Sequence, residues 1–247
     1  EQEDILVRFY NGQREGDLTQ TSQINPQSYR EIFEPYVKQG ISVLYITLSS
    51  GLSGTYQSSR LTAVELAEEY PGAEIQPVDS LAGTAGMGLL VEMAVKNKKD
   101  GMTVSENADW LRGHAKEVCH WFSVEDLMYL KRGGRISAAT AIVGTTLNIK
   151  PILKIDNEGK LINFDKKRGN KGSMKALVEY YMKSVDMTVS NRVYIIHGDS
   201  QERAESLKQL ILQKTPEADV KIMMLSPIIG AHTGPGMLAV IHWGKER

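Results

Sequence analysis

Apolar residues along this chain fall into short β-branched runs, separated by small-residue loops and by stretches with helical spacing. The clearest run, Ile41-Ser-Val-Leu-Tyr-Ile-Thr-Leu48, has the length of one buried strand and passes directly into Ser49-Ser-Gly-Leu-Ser-Gly-Thr55. Beyond that loop, Leu61, Val64, Leu66 and Ala67 roughly follow helical spacing, and Pro71-Gly72 ends a helix predicted over Tyr56 to Tyr70. A second strand, Ala73 to Val78, runs into Asp79-Ser80 and is followed by a helix from about Ala85 to Asn97. Ahead of these, Ile5 to Tyr10 reads as a strand and Gln27 to Val37 as a helix. Strand, small-residue loop and helix alternate, which favours parallel α/β units.

The texture changes near Val118. Asn107 to Glu117 is predicted helical, Cys119 to Val124 a strand, and Glu125 to Lys131 a short helix ahead of the loop Lys131-Arg-Gly-Gly-Arg135. Ser137 to Leu147, rich in small residues, is predicted as a helix. Ile149 to Ile155 and Lys160 to Lys166 flank the polar turn Asp156-Asn-Glu-Gly159, a hairpin signal. Helices at Met174 to Lys183 and Gln201 to Lys214 alternate with strands at Asn191 to His197, Val220 to Leu225 and Met237 to Trp243. The expected architecture is α/β in two domains. Residues 1–118 form a Rossmann-like parallel sheet with helices on both faces, and residues 119–247 a mixed α/β sheet domain.

Composition narrows the function. At 247 residues, roughly 70–75% of the unfolded chain's surface is buried on folding, so the core needs no staples. A hydrophobic share of 41% argues against disorder, and a net charge of −1 leaves no electrostatic footprint for nucleic acid. The single cysteine, Cys119, excludes a disulfide framework and Cys-rich metal sites and is compatible with a reducing cytoplasmic setting. Apart from His232, the histidines His114, His120, His197 and His242 show no metal-ligand spacing. The acidic start Glu1-Gln-Glu-Asp4 is unlike a signal peptide. The charge-poor stretches from Gln39 and from Ile222 are broken by Gly, Ser, Thr, His or Pro, and no integral membrane segment is expected.

Three loops can carry chemistry. Gly51-Leu-Ser-Gly-Thr55 sits between a strand and a helix, where backbone N–H groups and a positive dipole end suit an anion. Ser53 adds a hydroxyl and Gly54 a close backbone approach. Helix capping explains the same residues equally well. The loop also approaches the nucleophile-elbow pattern G-x-S-x-G, but Thr55 replaces the last glycine. A serine esterase built on Ser53, His232 and Asp79 is therefore the enzymatic alternative. Gly83-Thr-Ala-Gly-Met-Gly88 lacks dinucleotide spacing, and no Walker lysine occurs. Ile229-Gly-Ala-His-Thr-Gly-Pro-Gly236 presents His232 and Thr233 as the only polar side chains of a Gly-Pro-fixed loop. Thr21 and Ser22 precede Asn25-Pro26, where helix capping is their default role. Basic clusters at 131–135 and around Arg168 are solvated faces or docking points for an acidic partner.

Taken together, Thr21-Ser-Gln23, Ser49 to Gln57, Val78-Asp-Ser80, Tyr129 to Ser137 with Lys150-Pro151, and Ile229 to Gly236 resemble the DegV family, in that family's order and over nearly the whole chain. The resemblance implies two α/β domains with one long-chain fatty acid, such as palmitate, stearate or oleate, held between them. It implies no other cofactor, no metal and no chemistry by the chain itself. Some members are the binding subunit of a bacterial fatty acid kinase, presenting the carboxylate to a separate kinase subunit that makes acyl phosphate for phospholipid synthesis. Carried over to matching positions, Thr21 and Ser22 of the Thr-Ser-Gln motif, Ser53 with Gly54, and His232 with Thr233 hold the carboxylate, and Arg168 meets the kinase. The chain departs from the family at its start, where a strand, an Asp-Ser-Thr-like loop and a helix are usual. Lack of that strand would open the N-terminal sheet and remove one wall of the ligand site. Small Gly169 and Asn170 also follow Arg168 where partner-binding members carry bulkier polar residues.

The chemistry of such a ligand suits uncharged loops. Each buried CH₂ contributes about 0.8 kcal/mol, so ~15 methylenes offer on the order of 10 kcal/mol gross. A carboxylate leaving water needs hydrogen-bond donors, which hydroxyls, backbone N–H groups and a histidine supply.

Overall fold

The computed structural model describes residues 2–137, 148–245 and 247, so the helix expected over Ser137 to Leu147 lies almost wholly outside the described residues. The chain forms two compact units, one of Ser22–Lys116 with Asn157–Lys160, the other of Glu1–Thr21 with Glu117–Asp156 and Leu161–Arg247.

In the first unit, helix α2 (Pro26–Val37) is capped by Asn25, whose side chain accepts the Ser28 N–H at 2.9 Å, with Pro26 at the first helical position. Thr21 and Ser22 are therefore not its cap. Strands β1 (Val43–Thr47) and β2 (Ile75–Asp79) pair in parallel, in register from Val43 against Ile75 to Thr47 against Asp79. The connecting helix α3 (Thr55–Glu69) supplies Leu66 to a core with Tyr29 and Phe33 of α2, against which Val43 and Tyr45 of β1 pack. Strand alternation turns Leu44 and Ile46 to the other face, where α4 (Ala85–Lys99) and α5 (Val104–His114) pack. Thr103 and Glu106 form a capping box that starts α5. The parallel α/β pattern expected of this half is present as a two-stranded sheet.

The second unit is built on a six-stranded sheet in the order β5-β4-β3-β8-β6-β7. These strands are β3 (Val118–Ser123), β4 (Ile149–Ile155), β5 (Leu161–Arg168), β6 (Arg192–His197), β7 (Asp219–Met224) and β8 (Leu238–Trp243). All pairs are antiparallel except β6 with β7, as the mix of hairpin and strand–helix patterns predicts. Helices α7 (Gly169–Ser184) and α8 (Gln201–Leu212) pack on it and bury Leu177, Tyr181, Leu207 and Ile211 against Ile152, Ile195 and Val240. Helix α7 starts five residues ahead of the expected Met174, because Gly169 takes φ +67° and turns the chain straight from β5 into the helix.

Two expectations are corrected. Ile5 to Tyr10 is not a strand but part of helix α1 (Gln2–Glu15). A short apolar run fits a buried strand and a helix face equally well. Here the buried residues Tyr10 and Gln13 are three apart, on one helical face. That face also redraws the division at 118. The Tyr10 hydroxyl donates to the Leu225 carbonyl at 3.0 Å and Gln13 Nε2 to the Gly230 carbonyl at 3.1 Å, so residues up to Thr21 belong with the back half of the chain.

Burial of His242 in β8 has a consequence for pH. Desolvation pushes its pKa down to about 4, and its Nδ1 donates to the Trp243 carbonyl at 2.8 Å. As pH falls below about 6.5 the unfolded histidine takes up a proton and the folded one does not, so stability falls with pH. Between pH 7 and pH 5 this single group should remove about 2 kcal/mol. Urea midpoints at the two pH values measure the loss, and His242→Gln should flatten it. An unchanged pH dependence in that variant would contradict the assignment.

Candidate functional site

Thr21 and His232, 211 positions apart in sequence, meet with Thr21 Oγ1 2.8 Å from His232 Nε2. His232 is not in a loop as expected, but in the last turn of the short helix α9 (Pro227–Thr233), which Gly234 ends with φ +72°. Both of the glycines within and after α9 are needed for close approach. A Cβ at Gly230 would lie 2.7 Å from the Tyr10 hydroxyl of α1, and one at Gly234 would lie 2.5 Å from the Tyr129 ring. Tyr129 belongs to helix α6 (Met128–Arg132), and its hydroxyl donates to the Gln13 carbonyl at 3.1 Å. Helices α1, α6 and α9 are thereby fixed around a cavity of about 430 Å³, lined among others by Gln13, Thr21, Arg132, Gly133, Arg135 and His232.

The imidazole is held in one tautomer by its surroundings. A Cβ built on Gly133 would stand only 2.1 Å from His232 Nδ1, so an α-hydrogen of Gly133 points at that nitrogen. A proton on Nδ1 would collide with it, whereas a lone pair accepts a weak Cα–H contact. Nδ1 is buried and has no hydrogen-bond partner. The sterics therefore assign the proton to Nε2, which donates to Thr21 Oγ1. Thr21 is left free to aim its own O–H at a ligand. Burial, and then the positive charge of Arg135, lower the His232 pKa and keep the ring neutral near pH 7. The Arg135 guanidinium donates to the Gly133 carbonyl and ties the loop that carries this contact.

In the other unit, the loop between β1 and α3 is organised by side chains bonding to backbone. Ser49 Oγ donates to the Gly159 carbonyl at 2.7 Å and accepts the Gly51 N–H at 3.1 Å. Asp79 accepts the N–H groups of Ser50 and Leu81, each at 3.0 Å. Ser53 Oγ lies 2.8 Å from Thr55 Oγ1 and accepts the Thr55 N–H at 3.3 Å, at the start of α3. Gly54 is the N-cap of that helix, and its exposed Cα packs against the Gln23 side chain, 2.6 Å from where a Cβ would stand.

The expected site residues thus fall in two clusters. Thr21 and His232 are brought together; Thr233 Oγ1 instead donates to its own helix at the Ile229 carbonyl, 3.3 Å away. Ser22 is exposed, and Ser53 and Gly54 sit together at the mouth of α3. Arg168 ends β5 as an exposed residue, paired in register with Ile149. For the esterase alternative, Ser53 is bonded to Thr55, His232 to Thr21 and Asp79 to two backbone N–H groups, which is not a proton relay. Gly133 and Gln13 carry no sign of the site in the sequence, where a Gly-Gly pair marks a loop but not the ring it packs on. Among the described residues, no group of three or more His, Cys, Asp or Glu side chains could hold a metal, and no helix is long and apolar enough to cross a membrane.

A family model described as "Uncharacterised protein, DegV family" matches residues 4–244. A DegV domain-containing protein of Clostridium perfringens is 45% identical over 239 residues, covering 97% of this chain and 82% of the relative. The fold is similar to a fatty acid binding DegV family protein from Streptococcus agalactiae, with TM-score 0.83 and 28% identity over 98% of this chain and 84% of that one. It is equally similar to a DegV family protein from Thermus thermophilus solved for its fatty acid binding, with TM-score 0.83 and 27% identity over 97% and 84% of the two chains.

Proposed function

The chain belongs to the DegV family, and we propose from that membership that it binds one long-chain fatty acid and carries or presents the carboxylate. Palmitate, stearate and oleate fit the class. The observation that supports this most is the Thr21–His232 pair at 2.8 Å beside a cavity. A neutral imidazole donating to Thr21 leaves the hydroxyl proton for a carboxylate oxygen without burying a second charge. Ser22 and Ser53 add hydroxyls and Gly54 a backbone approach at the head of α3. Thr233 joins by rotating its hydroxyl away from the Ile229 carbonyl. The acyl chain supplies the affinity and these groups the orientation.

The chain then acts as a non-catalytic subunit in the cytoplasm, handing its ligand to a separate fatty acid kinase subunit that docks at Arg168 and supplies phospholipid synthesis. Binding and hydrolysis are separated by Ser53→Ala. We expect that variant to lose palmitate affinity about tenfold, the worth of one hydrogen bond to a charged group. We also expect the unaltered protein to leave a p-nitrophenyl acyl ester intact. Ester hydrolysis that disappears in Ser53→Ala would replace this reading with the esterase.

A further inference from the structure

We propose that the cavity beside Thr21 and His232 also takes the glyceryl headgroup of a long-chain monoacylglycerol, with Gln13 and Asp17 accepting its two hydroxyl protons. The inference rests on the fatty acid reading above and extends it to a second headgroup on the same acyl chain. Gln13 is the first observation. It is 3% exposed, lines the cavity and has its Oε1 buried with no partner. Its Nε2 is committed to the Gly230 carbonyl at 3.1 Å, so a flipped amide would set two oxygens face to face. The cavity wall therefore presents a fixed acceptor that needs a donor. A fatty carboxylate has none to give. Asp17 is the second observation. Its carboxylate lines the same cavity from the exposed turn after α1, with Oδ2 folded back onto Gly12. Among the described residues it has no hydrogen-bond or ion-pair partner. A second acceptor in the same wall repels a carboxylate and suits a hydroxyl.

Size is the third observation. At about 30 Å³ per water in the liquid, 430 Å³ is the space of about fourteen waters, far more than a carboxylate fills. Glycerol esterified to a fatty acid adds five non-hydrogen atoms, which at the same volume each take about a third of it. Donors are present as well. The Thr21 hydroxyl, left free by His232, suits the ester carbonyl. Arg132, held over the Tyr129 ring 4.6 Å from its centroid, adds N–H groups to the cavity wall. Arg135 is engaged with the Gly133 carbonyl and is not counted among them. Hydroxyls both donate and accept, so a diol matches acceptors and donors together, where a carboxylate matches the donors alone. An ester offers no carboxylate oxygen to a kinase, so this ligand is carried without being phosphorylated.

The test is displacement of a fluorescent fatty acid by 1-monopalmitin, methyl palmitate and palmitate. Monopalmitin should compete within about tenfold of palmitate. Methyl palmitate, an ester of the same acid without hydroxyls, should be at least about tenfold weaker than monopalmitin, as the loss of two hydrogen bonds requires. Asp17→Asn, at an exposed position, should weaken monopalmitin about three- to tenfold and leave palmitate unchanged or tighter, because a negative charge is gone. Monopalmitin no better than methyl palmitate, or equal losses of monopalmitin and palmitate in Asp17→Asn, would overturn the assignment. Free glycerol that displaces the probe at the same concentration as monopalmitin would make this a polyol site without an acyl chain and also overturn it. Palmitate that competes while monopalmitin does not sinks this inference alone. A fluorescent fatty acid and palmitate that both fail to bind sink the fatty acid reading beneath it.

Discussion

Gly133→Ala should cost 10- to 100-fold in fatty acid affinity while leaving the fold intact. The backbone at Gly133 sits at φ −70° and ψ −9°, which any residue adopts, so the substitution brings no backbone strain. Its only effect is the added methyl, 2.1 Å from His232 Nδ1. Ordinary contact begins near 3.4 Å, so the imidazole must retreat by more than 1 Å. The 2.8 Å bond to Thr21 does not survive that shift, and Thr21 loses the donor that orients its hydroxyl. A hydrogen bond to a charged group contributes about 1.5–3 kcal/mol, which sets the expected range. Gly134→Ala is the matched control. Gly134 has φ +72° and open space around it, so alanine there should cost about 1–2 kcal/mol of stability and leave affinity nearly unchanged. Titration with a fluorescent fatty acid, alongside thermal melts, separates the two variants. Equal affinities for Gly133→Ala and the unaltered chain would remove His232 from the site.

Gly51→Ala should destabilise the unit that contains it by about 3 kcal/mol, the upper part of the range for overpacking. Its Cβ would stand 2.6 Å from both the carbonyl carbon and the oxygen of Gly159, and 2.8 Å from the Glu158 oxygen. These are backbone atoms, with no side chain to swing aside. Gly159 is itself locked, with φ +75° and its Cα against Ser49 Oγ. The turn 157–160 and the loop 49–53 therefore fit in one arrangement, and displacing either breaks the 2.7 Å bond from Ser49 to Gly159. Hydrogen exchange should show faster opening at 49–55 and 79–82 before any other segment. Protection unchanged at those residues would mean that the turn docks loosely.

Much of this architecture is written in local sequence. The run from Ile41 to Leu48, the turn Asp156 to Gly159 and the helix ends at Pro26 and Pro71-Gly72 each depend on neighbours within a few residues, so pattern alone places them. Helix α1 was open to misreading because Ile5 to Tyr10 is apolar at nearly every position. Only its tertiary partners, the carbonyls of Leu225 and Gly230, select a helical face. The same limit governs the site. Thr21, Ser53 and His232 stand out as polar residues in glycine-rich or capping contexts. That Thr21 belongs with His232, and Ser53 with Thr55, is a matter of long-range packing. Gly133, Gln13 and Arg132 take their meaning only from the ring, carbonyl and cavity they face, none of which is near them in sequence.

Carriage of one long-chain fatty acid by this chain is open to direct measurement. Native mass spectrometry of freshly purified protein, followed by solvent extraction and identification of the released mass, tests it most directly. One fatty acid per chain, released intact on denaturation, is the expected result. Protein that arrives without lipid and then refuses added palmitate and oleate would contradict it.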